Sequence, residues 1–303
     1  MISTRWAPMV TLSTLCLALA MAGGEALDAA QPYSSGFGAA ADTVLSIEPG
    51  DVVRLLLNEG RVILEGIDGD DLEVEDGSRR GIELARNGSR LALRVRGRDS
   101  GGGRMIRLGV PRGIEIDVSG EHVDVEARGL TGDLRVNVIE GDLRVADVRG
   151  GVELRTIDGD IEVAEVEGAV DAATVDGAVH LRVIRGPIRA QSMDGDVILD
   201  DVDGAEVVAS TVDGDVTYDG TLSRGARVQL VTHDGDVLVS IPADSSAEVE
   251  VATFDGEFIP EFPVRVGRVE AGQPLRFRLG SGGATLGVQV FDGDIQLRHR
   301  PGR

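Results

Sequence analysis

Glycine returns every nine residues through the middle of this chain: Gly132, Gly141, Gly150, Gly159, Gly168, Gly177, Gly186, Gly195 and Gly204, then Gly214 after one inserted residue. A fixed period marks a repeat architecture, and glycine at this density excludes a helical one, since each glycine inside a helix costs about 1 kcal/mol. Counted from each glycine, positions +2, +4 and +7 are apolar: Leu134, Val136 and Ile139, then Leu143, Val145 and Val148, then Val152, Leu154 and Ile157. The +2/+4 alternation is a strand period, and the β-branched bias supports strand. All three positions are expected to face inward.

Alternate glycines have different neighbours. Gly159, Gly177, Gly195, Gly214, Gly235, Gly256 and Gly293 each follow an aspartate, whereas Gly150, Gly168 and Gly186 follow Arg149, Glu167 and Arg185. The unit is therefore two nonapeptides, a coil of about 18 residues with two short strands and two tight turns. It lengthens to 21 residues from Gly214 to Gly235 and from Gly235 to Gly256, with additions at 219–226 and 241–247 that predict loops. Coils stacked about 4.8 Å apart pair each strand in parallel with its copies and bury six inward side chains per coil. The predicted fold is all-β: a single-stranded β-solenoid, parallel β-helix-like.

Outside the repeat, Arg5, the apolar stretch Met9 to Ala22 and the small residues of Ala20-Met21-Ala22 predict a signal peptide over 1–22. Residues 23–41 are expected to be a flexible linker, 42–118 an N-terminal cap with irregular first coils, and 119–303 the regular solenoid with its C-terminal coils. Such a protein is exported, to the periplasm, cell surface or medium, with no integral membrane span after signal cleavage. Cys16 is the chain's one cysteine and falls within the leader, so the mature chain is expected to have neither disulfide nor thiol nucleophile. There are 52 acidic residues against 30 basic ones, all arginine, an excess that argues against nucleic acid as a partner.

The repeated [Thr/Ser]-apolar-Asp-Gly-Asp-apolar stretch can be one turn made on every lap or a row of ligand sites. Glycine accepts positive φ and aspartate accepts backbone N–H groups two residues on, which makes Gly141, Gly159, Gly177, Gly195, Gly214, Gly235, Gly256 and Gly293 structural turn glycines. Thr156, Thr174, Ser192, Thr211, Thr232 and Thr253 would stack as a hydroxyl column. Charge is left over. Asp158, Asp194, Asp213 and Asp234 form one ladder with Asp176 and Asp255, and Asp160, Asp196, Asp215 and Asp236 a second; like charges about 4.8 Å apart repel by about 1 kcal/mol in water. A bound cation would relieve this, so a cation-binding solenoid stands as an alternative. The calcium-binding nonapeptide has more glycine than this repeat offers, and no cofactor is expected.

No catalytic constellation emerges, since His122, His180, His233 and His299 are scattered and paired carboxylates occur on every coil. A β-helix enzyme acting on polysaccharide is the rival class. It leads one to expect aromatic subsites and a localised acid patch, which are not evident here. Outward columns such as Arg144, Glu162 and His180, or Asp171 and Arg189, suit a binding face of mixed charge.

The stretches GVPRGIEIDVSGEHVDVEARGLTGDLRV (109–136), VLVSIPADSSAEVEV (237–251) and GSGGATLGVQVFDGDIQLR (280–298), with the repeated DGDV, resemble the bacterial putative-adhesin family of secreted β-strand-repeat domains, similar to head domains of predicted autotransporter adhesins. The resemblance covers roughly 42–298. It implies a non-enzymatic envelope or surface β-solenoid, an adhesin-like binding or scaffold module whose partner would be an envelope or extracellular protein or a glycan.

Overall fold

The computed structural model describes residues 43–76, 82–95, 104–263 and 274–300. The signal peptide and linker assigned to 1–22 and 23–41 lie outside the described residues. Within them every regular element is a strand, and 24 strands join in one sheet that winds into stacked coils.

Two parallel columns of strands carry the repeat. In one, Leu143 pairs with Ile161, Ile161 with Val179 and Val179 with Val197, each 18 residues on, followed by Val216 and Val237. All six are 0 % exposed. In the other column Leu134, Val152, Val170 and Ile188 stack in the same way. The core is the double row of aliphatic side chains between these columns.

The two halves of a coil solve the nine-residue spacing differently. In the strand Leu143–Arg149, Val145 and Val148 are three apart yet both buried, because Asp147 takes a left-handed conformation (φ 51°) and inserts one extra residue. Glu165, Val183 and Asp201 repeat this at φ 58°, 56° and 52°. The half-coil starting at Val152 has no such residue, so strict alternation carries on. Val152, Leu154 and Thr156 point inward, and Ile157 points out. This corrects the expectation of an inward +7 position in every nonapeptide. Ile139 and Ile157 are 51 % and 45 % exposed, and the sixth inward side chain of the coil is a hydroxyl.

The last coils also depart from sequence order. The strand Arg227–Asp234 pairs with Ala284–Asp292, which pairs in turn with Ala247–Asp255. Gly256 therefore stacks on Gly293, and Gly293 on Gly235, rather than Gly256 on Gly235 as the 21-residue spacing suggests. The chain's last strands fill the gap between two earlier ones. The outer side of Ala247–Asp255 is covered by the antiparallel strand Leu275–Leu279, with Arg276 on Glu250 at 2.9 Å and Arg278 on Glu248 at 2.8 Å. A charged antiparallel edge resists further strand addition.

The other end closes by similar means. Val52–Gly66 runs parallel to Glu115–Arg128 over both columns, with Arg90–Val95 and Met105–Val110 on its other side. Ile82–Asn87 and Asp71–Asp76 then add antiparallel.

Candidate functional site

The Asp-Gly-Asp turn is built from three interactions that repeat on each coil. The first involves glycine itself: Gly195 has φ 143°, and a Cβ there would lie 2.3 Å from the carbonyl oxygen of Gly177. The second uses the hydroxyl column, buried except at the half-buried Thr253, which reaches across to those carbonyls. Thr174 donates to Gly159 at 3.1 Å, Ser192 to Gly177, Thr211 to Gly195 and Thr232 to Gly214, each at 2.8 Å, and Thr253 to Gly293 at 3.2 Å. The third uses the second aspartate. Asp160 Oδ1 accepts the N–H of Ala178 at 2.8 Å, Asp196 that of Asp215 at 2.8 Å, Asp215 that of Asp236 at 2.7 Å and Asp236 that of Asp294 at 2.8 Å. A carboxylate that accepts a backbone N–H is already partly compensated.

The first aspartate does different work. Asp158, Asp176, Asp194, Asp213 and Asp234 join coil to coil through backbone bridges, and their side chains stay exposed. Among the described residues no group of three or more His, Cys, Asp or Glu is placed to hold a metal ion.

On the flat faces, outward charges pair across coils. Arg135 lies between Glu115 at 2.8 Å and Glu153 at 3.0 Å. Arg155 meets both Glu153 and Asp171. Arg144 holds Asp142 at 3.0 Å and Glu162 at 3.6 Å, and the hydrogen bond to Asp142 lifts its guanidinium above the usual arginine value. The columns singled out from sequence are aligned: Glu162 is flanked by Arg144 and His180, and Asp171 is beside Arg189. Over the second of these lies a shallow recess of about 360 Å³, with Arg135, Glu153, Asp171, Arg189 and Glu206 on its walls.

Two further features emerge from the structure. One is a charged clamp near the C-terminus, where Arg300 reaches Asp201 at 3.0 Å and Asp219 at 2.7 Å. Burial lowers the Arg300 pKa, but the hydrogen bond to Asp201 and the charges of Asp219 and Asp201 outweigh it. Beside it Tyr218, fully buried, donates its hydroxyl to the Thr221 carbonyl at 3.0 Å. Burial pushes that phenol well above its usual range, and the charges of Asp203 and Asp219 add to the effect. The other is a column of outward apolar residues: Ile139, Ile157, Val175, Met193 and Val212, then His233, Phe291 and Phe254. The rings of Phe291 and Phe254 stack at 4.9 Å, and those of His233 and Phe291 meet in a T-shaped arrangement at 4.6 Å. The four histidines form no cluster.

Residues 112–223 and 188–298 match the family described as Toastrack DUF4097. No curated protein matches the chain. Among solved structures it is similar to a putative cell adhesion protein from Clostridium sporogenes ATCC 15579, at 9 % identity over 86 % of this chain and 99 % of that one, with a TM-score of 0.21. It is also similar to a putative adhesin from Bacteroides fragilis NCTC 9343, at 12 % identity over 84 % of this chain and 95 % of that one, with a TM-score of 0.42.

Proposed function

The chain belongs to the Toastrack DUF4097 family, and we propose that this member is an exported, non-enzymatic binding or scaffold module of the bacterial envelope or surface. The observation that carries the reading is the way its polar side chains are spent. Several arginines on the long faces pair with carboxylates on the coils above and below: Arg135 with Glu115 and Glu153, Arg144 with Glu162, Arg149 with Glu167 and Arg155 with Asp171. An acid-base pair for catalysis needs a carboxylate or histidine set apart in a cleft that shifts its pKa. Here the charges sit on an open lattice instead, rigid and repetitive, which suits recognition of an extended partner along the stack. The partner is an envelope or extracellular protein or a glycan.

Export is supported by the leader-like composition of residues 1–22. No helix among the described residues is long and apolar enough to cross a membrane.

Two measurements test the proposal together. Cell fractionation of the C-terminally tagged chain should find it in the envelope or medium, and deletion of residues 1–22 should retain it in the cytoplasm. The purified full chain, incubated with a panel of polysaccharides, should release no new reducing ends. Turnover on any of them would replace the binding reading with the enzyme.

A further inference from the structure

The outward apolar column is not a by-product of the fold. Its residues point away from the core, and His233 holds the same position in one coil, so the turn itself accepts a polar side chain there. Yet of the seven large apolar side chains exposed among the described residues, four belong to this single column: Ile139, Ile157, Phe291 and Phe254, the last 80 % exposed. Single exposed apolar residues are ordinary on any protein, but contiguous ones mark interaction surfaces.

The column has an acidic border. The residue after each member of the column is Glu140, Asp158, Asp176, Asp194, Asp213, Asp234, Asp292 and Asp255 in stacking order. All eight are exposed, and among the described residues no arginine forms an ion pair with any of the seven aspartates. We infer that this apolar column and its acidic border form a docking surface for a basic amphipathic helix of a partner protein.

Charge and spacing select that occupant. A second copy of this chain would lay an acidic border against its own, and an anionic lipid surface would be repelled in the same way. The partner must bring cations beside apolar groups. Coils recur about every 4.8 Å, close to the 5.4 Å turn of a helix and further from the ~6.8 Å between same-face residues of an extended strand. Eight coils span about 34 Å, the length of a helix of about 22 residues. The aromatic stack of His233, Phe291 and Phe254 lies at one end of the line and offers the largest apolar contact.

This inference rests on the reading of the chain as a binding module, and the test separates the two. The probe is a synthetic peptide of about 22 residues with leucines at i, i+3, i+4 and i+7 and Lys or Arg on the flanks. A scrambled peptide of the same composition and a peptide with Glu in place of its cations serve as comparisons. Titrated against the full chain, the amphipathic basic peptide should bind at least tenfold more tightly than either. The triple variant Ile157→Ser, Phe254→Ser, Phe291→Ser should lose at least tenfold in affinity while melting within a few degrees of the parent. Asp176→Asn, Asp194→Asn and Asp213→Asn together should weaken binding and flatten its salt dependence. Equal binding of the scrambled peptide, or unchanged binding by both variants, would overturn the assignment. So would self-association that the triple variant abolishes, since the surface would then serve a second copy. None of these results bears on export or on the absence of turnover, which decide the broader proposal separately.

Discussion

The hydroxyl of Thr211 donates to the carbonyl of Gly195 at 2.8 Å, and Thr211 is fully buried while doing so. Through this bond a polar side chain occupies the core of an otherwise aliphatic coil. Replacing it by valine keeps the shape and removes the donor, leaving the Gly195 carbonyl unsatisfied inside the protein. Thr211→Val should therefore cost about 1–3 kcal/mol, and Thr211→Ser much less. Urea melts of the two variants check this: a valine variant as stable as the parent would mean that the hydroxyl column contributes nothing beyond volume.

Val183 is the one β-branched residue among the four that take the left-handed conformation at the coil corner, its neighbours in the column being Glu165 and Asp201. That conformation strains a β-branched residue by about 1–2 kcal/mol and is tolerated best by Gly, Asn or Asp. Val183 is also half-buried rather than a core residue, so little packing is lost with it. Val183→Asn should raise stability by about 1 kcal/mol. A fall in the melting temperature would show that valine's packing outweighs its backbone strain.

Tyr218 gives the fold an alkaline limit. Its phenol has a pKa raised by burial, so the folded state holds this proton at pH values where the unfolded chain releases it, above about 10. The stability tied to that proton is fully present below the unfolded pKa and is lost as pH rises beyond it. Melting temperatures should fall between about pH 10 and 12. Tyr218→Phe should flatten that fall, at the cost of the bond to Thr221 at lower pH. An identical alkaline profile in the phenylalanine variant would place the titrating group elsewhere.

The parallel solenoid and its Leu143, Ile161, Val179 and Val197 column were legible because the turns admit little but glycine, and that restriction writes the period into the sequence. The direction of the +7 residue was not. Val148 and Ile157 are equally apolar, and what separates them is whether the backbone bulges at Asp147 or stays regular through Thr156. The hydroxyl column was noticed in the sequence, but its place inside the core follows only from that difference. Gly256 and Gly293 share the same turn chemistry as Gly235, so their exchanged order in the stack left no trace in composition. The exposure of the Ile157 and Phe254 column is not legible in sequence, because an apolar residue at that position reads the same whether it faces the core or solvent.

The aspartate ladders lead to the last prediction. Asp196 Oδ1 accepts the N–H of Asp215, and Asp215 Oδ1 that of Asp236, so each of these carboxylates serves the backbone of the next coil. Asparagine retains an acceptor oxygen and alanine does not, so Asp196→Ala should cost about 0.5–1.5 kcal/mol and Asp196→Asn less. A calcium site at 100 times its Kd would add about 2.7 kcal/mol, and for a chain of this size each kcal/mol moves the midpoint by about 2–4 °C. Plain screening of exposed carboxylates gives sodium and calcium nearly the same effect at equal ionic strength. Melts in EDTA, in millimolar CaCl₂ and in NaCl of matched ionic strength should show the two salt curves nearly coinciding above the EDTA curve. A calcium-specific rise of about ten degrees, lost in the double variant Asp196→Asn, Asp215→Asn, would give the ladders to a cation and leave the backbone contacts as its scaffold.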